Sequence, residues 1–325
     1  MSVLVYTEHA GGKFKKSTFE VLTYAHAIAA STGSTVTAVS IGDVASDELA
    51  QLAKYGAKKI VNITLERLRT FNNQAYASVI SEVAKSEDAK VIVLSASFSG
   101  KGLAPRIAVK LKAGYVDGAI ALPEMTSGFK VRKGAFSGKA FADVELTSDV
   151  KIITLIPNAY TVKENPQEVN VVDFSPVMES SDFATMVKDI VRASDKVSLP
   201  EAELVVSAGR GLKGPENWGM IEELAALLGA ATACSKPVSD AHWRPHEEHV
   251  GQTGIAVSPN LYIAIGISGA IQHLAGVSSS KVIVVINKDP EAPFFKAADY
   301  GIVGDAFEVV PQLIQAIKEF KAVHS

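Results

Sequence analysis

Apolar residues in the first half of the chain form short β-branched runs that alternate with stretches of helical spacing. Residues 2–7 are an apolar run suited to a buried strand, and Lys16-Ser17-Thr18 can cap a helix that continues to Ala30. The same two patterns recur and predict strands at 35–41, 59–63 and 91–95 and helices at 47–55 and 73–86. Strands and helices that alternate at this spacing predict a mostly parallel sheet with helices on both faces.

A Gly- and Ser-rich segment follows the strand at 91–95 and leads into a helix that is predicted to begin near Leu103. Such a segment could cradle a phosphate, or it could be a plain turn in which Gly permits tight packing. The pattern favours the plain turn. Residues 129–157 alternate in short segments separated by glycines, which predicts antiparallel hairpins at the edge of the sheet.

The character of the sequence changes between residues 169 and 200, where Pro, Ser and charged residues replace the buried-strand pattern. A short helix is predicted at 183–193, within a linker at about 174–199. We therefore expect an N-terminal α/β domain at 1–199 and a second domain at 200–325, with the boundary close to Pro200.

Five more strand patterns follow this boundary, at 203–208, 231–234, 261–267, 281–286 and 300–303, with helices at 216–228, 271–274 and 307–320. They predict a second α/β domain, doubly wound around a parallel sheet. Each predicted strand ends near a residue that can hold a ligand: Arg210, Ser235 with Lys236, Ser268, Asn287 and Asp305. Open parallel sheets bind ligands outside the carboxyl ends of their strands, so we expect a binding site at this edge.

Residues 250–277 concentrate these features. An apolar strand runs into a Ser-Gly-Ala turn at 268–270, and a helix opens directly after it. The start of such a helix leaves backbone N–H groups free at the positive end of its dipole, which suits a pyrophosphate. Polar side chains at the same place could add hydrogen bonds: Gln252, Thr253, Ser268, Gln272 and His273.

Several of these positions also have a plainer interpretation. Asn287 and Asp305 could cap turns or helices, and Arg210 between two glycines could be a solvated charge. Cys234 at a strand end is more typical of a small buried hydrophobe than of a reactive thiol.

The histidine-rich segment at 242–249 could be interpreted as a metal site, because two glutamates lie among His242, His246 and His249. However, Pro245 interrupts helical pairing of these side chains, and no second histidine pair or cysteine pair supports the site. An exposed loop is the favoured interpretation, and no metal is predicted.

The composition is that of a globular protein. With 325 residues, of which 47% are hydrophobic and 21% charged, the chain can form two domains with separate cores. A net charge of -3 argues against general affinity for nucleic acid, and a single cysteine fits a reducing compartment. The start lacks the pattern of a secretory or transit peptide, and the apolar runs stop short of the ~18 residues that cross a bilayer. We expect a cytoplasmic protein without membrane insertion.

Motifs along the whole chain resemble those of the electron transfer flavoprotein alpha subunit. They are TEHAGGKFKKST, ASFSGKGLAPRIAVKL and ITLIPNAY in the first half, and GRGLKGPENW, SKPVSD, VGQTG, LYIAIGISGAIQHLAG and VIVVINKDPEAPFFKAADYGIVGD in the second. The resemblance implies an alpha subunit that pairs with a homologous beta subunit and carries one FAD in its C-terminal domain, while the beta subunit commonly holds an AMP. It further implies an electron carrier without catalytic residues, which takes electrons from acyl-CoA and related dehydrogenases, as in fatty acid beta-oxidation, and passes them to a membrane quinone oxidoreductase.

On that pattern the residues that contact FAD are Arg210, Ser235, Lys236, Val250, Gly251, Gln252, Thr253, Ser268, Gly269, Ala270, Ile271, Gln272, His273, Asn287 and Asp305. Thr253 would lie beside flavin N5, and Lys236 and His273 near the N1–C2 side of the ring. Asn287 and Asp305 would lie toward the adenosine.

Lys236 departs from the family pattern, which usually has Arg at this position. Lys keeps the positive charge but lacks the planar fork that stacks or bonds bidentately. The departure therefore bears on the reduction potential of the flavin rather than on flavin binding.

Three other functions remain open at the level of the sequence. The first is a subunit of an electron-bifurcating flavoprotein, which the sequence of one subunit does not distinguish. The second is a non-redox nucleotide-binding module, supported by the N-terminal pattern alone, and the third is a stand-alone flavoenzyme. The C-terminal motifs disfavour the last two.

Overall fold

The computed structural model describes residues 2–136, 138–189 and 198–324. The chain divides into two compact units, one formed by Met1–Ala135 and Ala140–Arg192 and the other by Phe136–Lys139 and Ala193–Ser325. Each unit has its own mostly parallel sheet flanked by helices. The predicted α/β class is confirmed.

Within the described residues, the N-terminal unit contains a nine-stranded sheet and a small two-stranded ribbon. The strands are β1 (Ser2–Tyr6), β2 (His9–Ala10), β3 (Lys13–Phe14), β4 (Thr35–Ile41), β5 (Ala57–Ile63), β6 (Ala89–Ser95), β7 (Gly114–Ala119), β8 (Lys130–Ala135), β9 (Ala140–Glu145), β10 (Lys151–Leu155) and β11 (Asn170–Asp173). The sheet order is β11-β5-β4-β1-β6-β10-β7-β8-β9, and β2 pairs with β3. All neighbours in the large sheet are parallel except β7–β8 and β8–β9.

The helices of this unit are α1 (Lys16–Thr32), α2 (Ser46–Gln51), α3 (Asn73–Ser86) and α4 (Phe98–Leu111), with 3₁₀ turns at Leu52–Lys54, Glu66–Leu68 and Ser180–Phe183. The Asn72 side chain accepts hydrogen bonds from the backbone N–H groups of Gln74 and Ala75, which fixes the start of α3. Apolar side chains of α1 join one buried cluster and those of α3 and α4 join another. Helices therefore cover both faces of the sheet, as predicted.

Three predictions for this unit were wrong in part. Helix α4 begins at Phe98 rather than near Leu103, because the Ser97 hydroxyl accepts a hydrogen bond from the Gly100 N–H at 3.0 Å and caps the helix. A Cβ on Gly100 would lie 1.9 Å from the Ser95 carbonyl oxygen, so this glycine serves tight packing of a strand–helix turn.

Strand β10 is a parallel inner strand between β6 and β7 rather than part of an antiparallel extension. Its side chains from Ile152 to Leu155 are all buried, a continuous pattern typical of parallel strands, whereas those of β9 alternate. The antiparallel prediction holds for β8 and β9. The predicted helix at 183–193 is replaced by the 3₁₀ turn that ends at Phe183, and residues 184–189 are not helical. Residues 190–193 lie outside the described residues.

The C-terminal unit contains a five-stranded parallel sheet within the described part of the chain. Its strands are β12 (Leu204–Ala208), β13 (Ala231–Cys234), β14 (Leu261–Ile265), β15 (Val282–Asn287) and β16 (Tyr300–Val303), in the order β13-β12-β14-β15-β16. The helices are α5 (Gly219–Leu228), α6 (Lys236–Asp240), α7 (Ile271–Val277) and α8 (Ala306–His324). Short 3₁₀ turns lie at Leu199–Glu201, Arg210–Leu212, Pro215–Asn217, His246–Glu248 and Pro293–Ala297.

Two buried clusters form the core of this unit. Trp218 and Ile221 pack with side chains of α8 in one cluster, and Tyr262 and Phe294 belong to the other. Helix α5 is capped at its C-terminus by Gly229, which has a left-handed φ of 67°. No helix in the described part of the chain is both long and apolar enough to cross a membrane.

Candidate functional site

The C-terminal sheet changes its direction of winding between β12 and β14. Numbered along the chain, its strands lie in the order second, first, third, fourth, fifth. This is one of the two common orders of doubly wound sheets, in which the reversal opens a crevice at the carboxyl ends of the first and third strands. The crevice is the place where such sheets bind ligands.

A cleft of about 620 Å³ opens at this crevice, within the usual size range of ligand pockets. It brings together most of the predicted cofactor contacts: Arg210, Ser235, Lys236, Val250, Gly251, Gln252, Thr253, Ser268, Ala270, Gln272 and His273. Gly269, Ile271, Asn287 and Asp305 lie outside the lining, so their ligand contacts stay predictions. Four residues outside the predicted set also line the cleft: Pro237, His249, Gly266 and Ile267.

The missed residues had signals in the sequence. The third strand was predicted to reach Ile267, but β14 ends at Ile265 because Gly266 adopts a left-handed φ of 60°. A glycine near the end of an apolar run was the available signal for this boundary. His249 was assigned to an exposed loop, yet it is only 2% exposed. Its position directly before the predicted contact Val250 was the signal for a place in the cleft.

The floor of the cleft is built from glycines that bring the ends of β12 and β14 together. A Cβ on Gly211 would lie 2.6 Å from the Gly266 Cα, and a Cβ on Gly209 would lie 2.3 Å from the Gly266 carbonyl oxygen. The Gly211 N–H donates to that same oxygen at 3.1 Å. Two backbones can approach this closely only without side chains between them.

The wall formed by Gly251 and Gln252 is fixed by contacts with α7. The Gln252 N–H donates to the Gln272 carbonyl at 2.7 Å, and a Cβ on Gly276 would lie 2.6 Å from the Gly251 Cα. Gly251 has a φ of 152°, which few other residues adopt. The side chains of Gln252 and Thr253 are therefore presented to the cleft from a rigid support.

His273 is held by an aromatic cluster at the back of the cleft. The Tyr262 hydroxyl and the His273 Nε2 form a hydrogen bond of 2.9 Å, and the His273 ring packs edge-on against Phe294. Burial lowers the pKa of His273 to about 4, and the neighbouring His249 acts in the same direction. His273 is therefore neutral near pH 7 and acts through its dipole rather than as a cation.

Positive charge in the cleft comes from Arg210 and Lys236. Both side chains are exposed at strand ends, Arg210 after β12 and Lys236 at the first position of α6. His249 beside them is buried, and burial lowers its pKa, with His246 and Lys236 as further causes. The cleft thus combines two basic side chains with two neutral imidazoles, a set of polar groups that suits an anionic ligand with a polar ring.

Asn287 and Asp305 take part in the turns that frame the sheet edge. The Asn287 amide donates to the Ile267 carbonyl at 3.0 Å and its oxygen accepts from the Asp289 N–H. The Asp305 carboxylate accepts from the Phe307 N–H at the start of α8. These contacts fit the capping interpretation, and through Ile267 the Asn287 side chain also supports the cleft.

The remaining candidates are structural. Cys234 is fully buried, and burial raises the pKa of its thiol to about 12, which fits the small buried hydrophobe that was expected. Arg244 forms ion pairs with Glu222 at 2.8 Å and Glu248 at 2.7 Å. Among the described residues, no cluster of His, Cys, Asp and Glu has the arrangement of a metal site.

Comparisons with known proteins identify the family of this chain. The family model of the electron transfer flavoprotein domain matches residues 3–177, and that of the electron transfer flavoprotein FAD-binding domain matches residues 198–278. The electron transfer flavoprotein subunit alpha of Thermoanaerobacterium thermosaccharolyticum is 38% identical over 324 residues, which cover 98% of each chain. That of Bacillus subtilis is also 38% identical over 324 residues, with 99% of each chain covered. The acryloyl-CoA reductase electron transfer subunit beta of Anaerotignum propionicum is 33% identical over 352 residues, covering 98% of this chain and 96% of that one. This chain belongs to the electron transfer flavoprotein family, as one of its alpha subunits.

Proposed function

We propose that this chain binds one FAD in the cleft between β12 and β14 and, paired with a beta subunit, shuttles electrons between other flavoproteins. The electrons come from acyl-CoA and related dehydrogenases and pass to a membrane quinone oxidoreductase, and the beta subunit carries an AMP. The single observation that carries the proposal is the cleft at the reversal of the doubly wound sheet, lined by the motif residues of the family.

The residues of the cleft fit an anionic dinucleotide. Arg210 and Lys236 provide positive charge, and Ser235, Thr253 and Ser268 provide hydroxyl groups. The Nδ1 atom of His249 is buried without a hydrogen-bond partner among the described residues, so the polar capacity of the cleft exceeds what the chain itself uses. A ligand with phosphate, carbonyl and ring-nitrogen groups would satisfy such a lining.

The bound isoalloxazine would supply the one-electron chemistry, and the chain tunes it. Lys236 favours negative charge on a ring placed beside it. The neutral His273, oriented by Tyr262, adds a fixed dipole without a second positive charge. Thr253, presented by the rigid wall, would hold a hydrogen bond at the ring.

Partner chemistry is supported by one of the relatives. The Anaerotignum propionicum protein is named as an electron transfer subunit of an acryloyl-CoA reductase, an enzyme of an acyl-CoA substrate. An acyl-CoA enzyme as a redox partner is consistent with that relationship. The proposed role is that of an electron carrier and requires no catalytic acid, base or nucleophile.

The test is co-expression with the beta subunit, followed by a visible absorption spectrum of the purified complex and identification of the released cofactor. We expect a yellow complex with one FAD per alpha subunit. Ala270→Glu should weaken FAD binding, because Ala270 lines the cleft and a carboxylate there repels phosphate. The matched control is Ala316→Glu on the exposed surface of α8. A colourless complex, or equal FAD content in the two variants, would exclude the proposed site.

A further inference from the structure

His249 is a titratable side chain of the cleft to which the proposed function assigns no part in proton movement. It is 2% exposed and lines the cleft beside Gly251. A Cβ on Gly254 would lie 2.7 Å from its Nδ1, so the imidazole packs directly on the turn that forms the cleft wall. Backbone contacts fix the residue as well, because the Ile255 N–H donates to its carbonyl at 2.8 Å.

The surroundings of His249 keep its resting charge at zero. Lys236 and Asp240 face it from α6, His246 from the preceding turn and His273 from α7. The His246 ring lies 5.4 Å from the His249 ring, centroid to centroid. Burial, His246 and Lys236 each lower the pKa of His249, and Asp240 opposes them weakly.

The other nearby groups are buried or already hydrogen-bonded. Cys234 of β13 is a buried thiol whose backbone bridges to His249. The Glu248 carboxylate accepts hydrogen bonds from Arg244 and Thr232. The Nδ1 atoms of both His249 and His273 are buried without a hydrogen-bond partner among the described residues. The His273 Nε2 is engaged by Tyr262, whereas the His249 ring makes no side-chain hydrogen bond within the described part of the chain. Of the two imidazoles in the cleft, His249 is therefore the one that no second side chain holds.

We propose that His249 is a proton-accepting residue of the cleft, which takes up one proton when negative charge appears on the bound flavin. This inference rests on the proposed function. One electron enters the flavin from a reduced donor flavoprotein, and one proton moves from solvent to a ring nitrogen of His249, so the net charge of the cleft is conserved. The proton returns to solvent when the electron leaves. Reduction would then depend on pH through a protein side chain as well as through the flavin itself.

The physical reason is a balance of charge in a buried site. In the oxidised complex a proton on His249 would face the positive charges of Lys236 and His246, which Asp240 offsets only in part. A new negative charge opposite Lys236 removes that obstacle and favours the imidazolium. The electron affinity of the flavin and the proton affinity of His249 are thereby linked through Lys236.

The test is an NMR titration of histidine Cε1–H resonances in the purified alpha–beta complex, oxidised and after reduction with dithionite. Disappearance of one resonance in His249→Gln, or in His249→Asn if the first variant does not fold, assigns the signal. We expect the His249 resonance to titrate at least one pH unit higher in the reduced complex. The same midpoint in both states would overturn the inference.

A second measurement is the midpoint potential as a function of pH. His249→Gln should reduce the slope of potential against pH, and an unchanged slope would overturn the inference. The control is His242→Asn, an exposed histidine of the same segment with a φ of 55° that Asn tolerates. If the complex binds FAD and accepts electrons but shows neither effect, only the role of His249 fails. If no flavin is bound, the proposed function itself fails.

Discussion

The hydrogen bond between Tyr262 and His273 gives a sharp test of how the back of the cleft is held. Both residues are buried, and the Tyr262 hydroxyl lies 2.9 Å from the His273 Nε2. In Tyr262→Phe the ring still packs against Phe294, but the His273 nitrogen loses its partner away from water. Leaving a buried polar atom unsatisfied costs about 1–3 kcal/mol. We expect the free energy of unfolding of the C-terminal unit to fall by that amount.

The assay is urea unfolding of the full-length chain followed by tryptophan fluorescence. The sequence has two tryptophans, Trp218 and Trp243, and both lie in the C-terminal unit, so the signal reports that unit. The matched control is Tyr24→Phe, which removes a hydroxyl bonded to the Ala121 carbonyl at 2.9 Å in the N-terminal unit. The control should leave the tryptophan-monitored transition unchanged.

A double-mutant cycle identifies the partner. When Tyr262→Phe is added to His273→Leu, both polar groups of the pair are absent. The second substitution should then change the free energy of unfolding very little. A coupling of about 1 kcal/mol or more is expected. If Tyr262→Phe costs the same in both backgrounds, the hydrogen bond does not act as described, and the account of a fixed, neutral His273 is refuted.

Three further predictions concern the same cleft. His273→Ala should lower the one-electron reduction potential of the flavin and leave FAD bound, because the change removes an oriented dipole but no charge. Spectroelectrochemistry of the alpha–beta complex measures the potential, and an unchanged value would contradict the role of His273. Lowering the pH from 7 to 5 should reduce the free energy of unfolding of the C-terminal unit by about 2 kcal/mol, because His273 binds a proton below its ordinary pKa of 6.5 when unfolded but only near its pKa of about 4 when folded. This contribution to stability is present above pH 6.5 and is lost as the pH falls toward 4. In the same denaturation measurement, His273→Gln should show a smaller dependence on pH. Gly211→Ala should lower the free energy of unfolding by about 1–3 kcal/mol, because the new Cβ would lie 2.6 Å from the Gly266 Cα. The control is Gly219→Ala, whose new methyl group has no atom within 4 Å, and it should leave the free energy of unfolding unchanged or raise it in the same assay.

The sequence predicted best those elements whose periodicity was strong and whose ends carried a clear signal. The strands at 35–41, 231–234 and 300–303 and the helix at 73–86 have the predicted bounds. The helix at 73–86 follows Asn72, whose side chain caps it. Strand β10 was assigned to the wrong kind of pairing, because the choice between a parallel and an antiparallel neighbour depends on contacts distant along the chain.

The location of the cleft could be predicted because it follows from where the parallel strands end. Parallel strands place their carboxyl ends at one edge, so Arg210, Ser235 and Ser268 could be grouped from the sequence alone. Which residues at that edge face a ligand is decided by packing. A Cβ on Gly269 would lie 2.6 Å from the Phe294 Cα, so Gly269 supports the turn rather than lining the cleft. His249 enters the cleft because its backbone bridges to Cys234 at the end of β13, a pairing that local sequence does not encode.

The buried position of Cys234 has a practical consequence for measuring movement within this molecule. It is the sole thiol of the chain, it is inaccessible, and its raised pKa keeps it in the unreactive protonated form. Maleimide dyes or nitroxide spin labels would therefore react only with cysteines introduced on the surface, for example Lys85→Cys in the first unit and Ala316→Cys in the second. The native sequence already provides a silent background for fluorescence or paramagnetic measurements of the distance between labels on the two units.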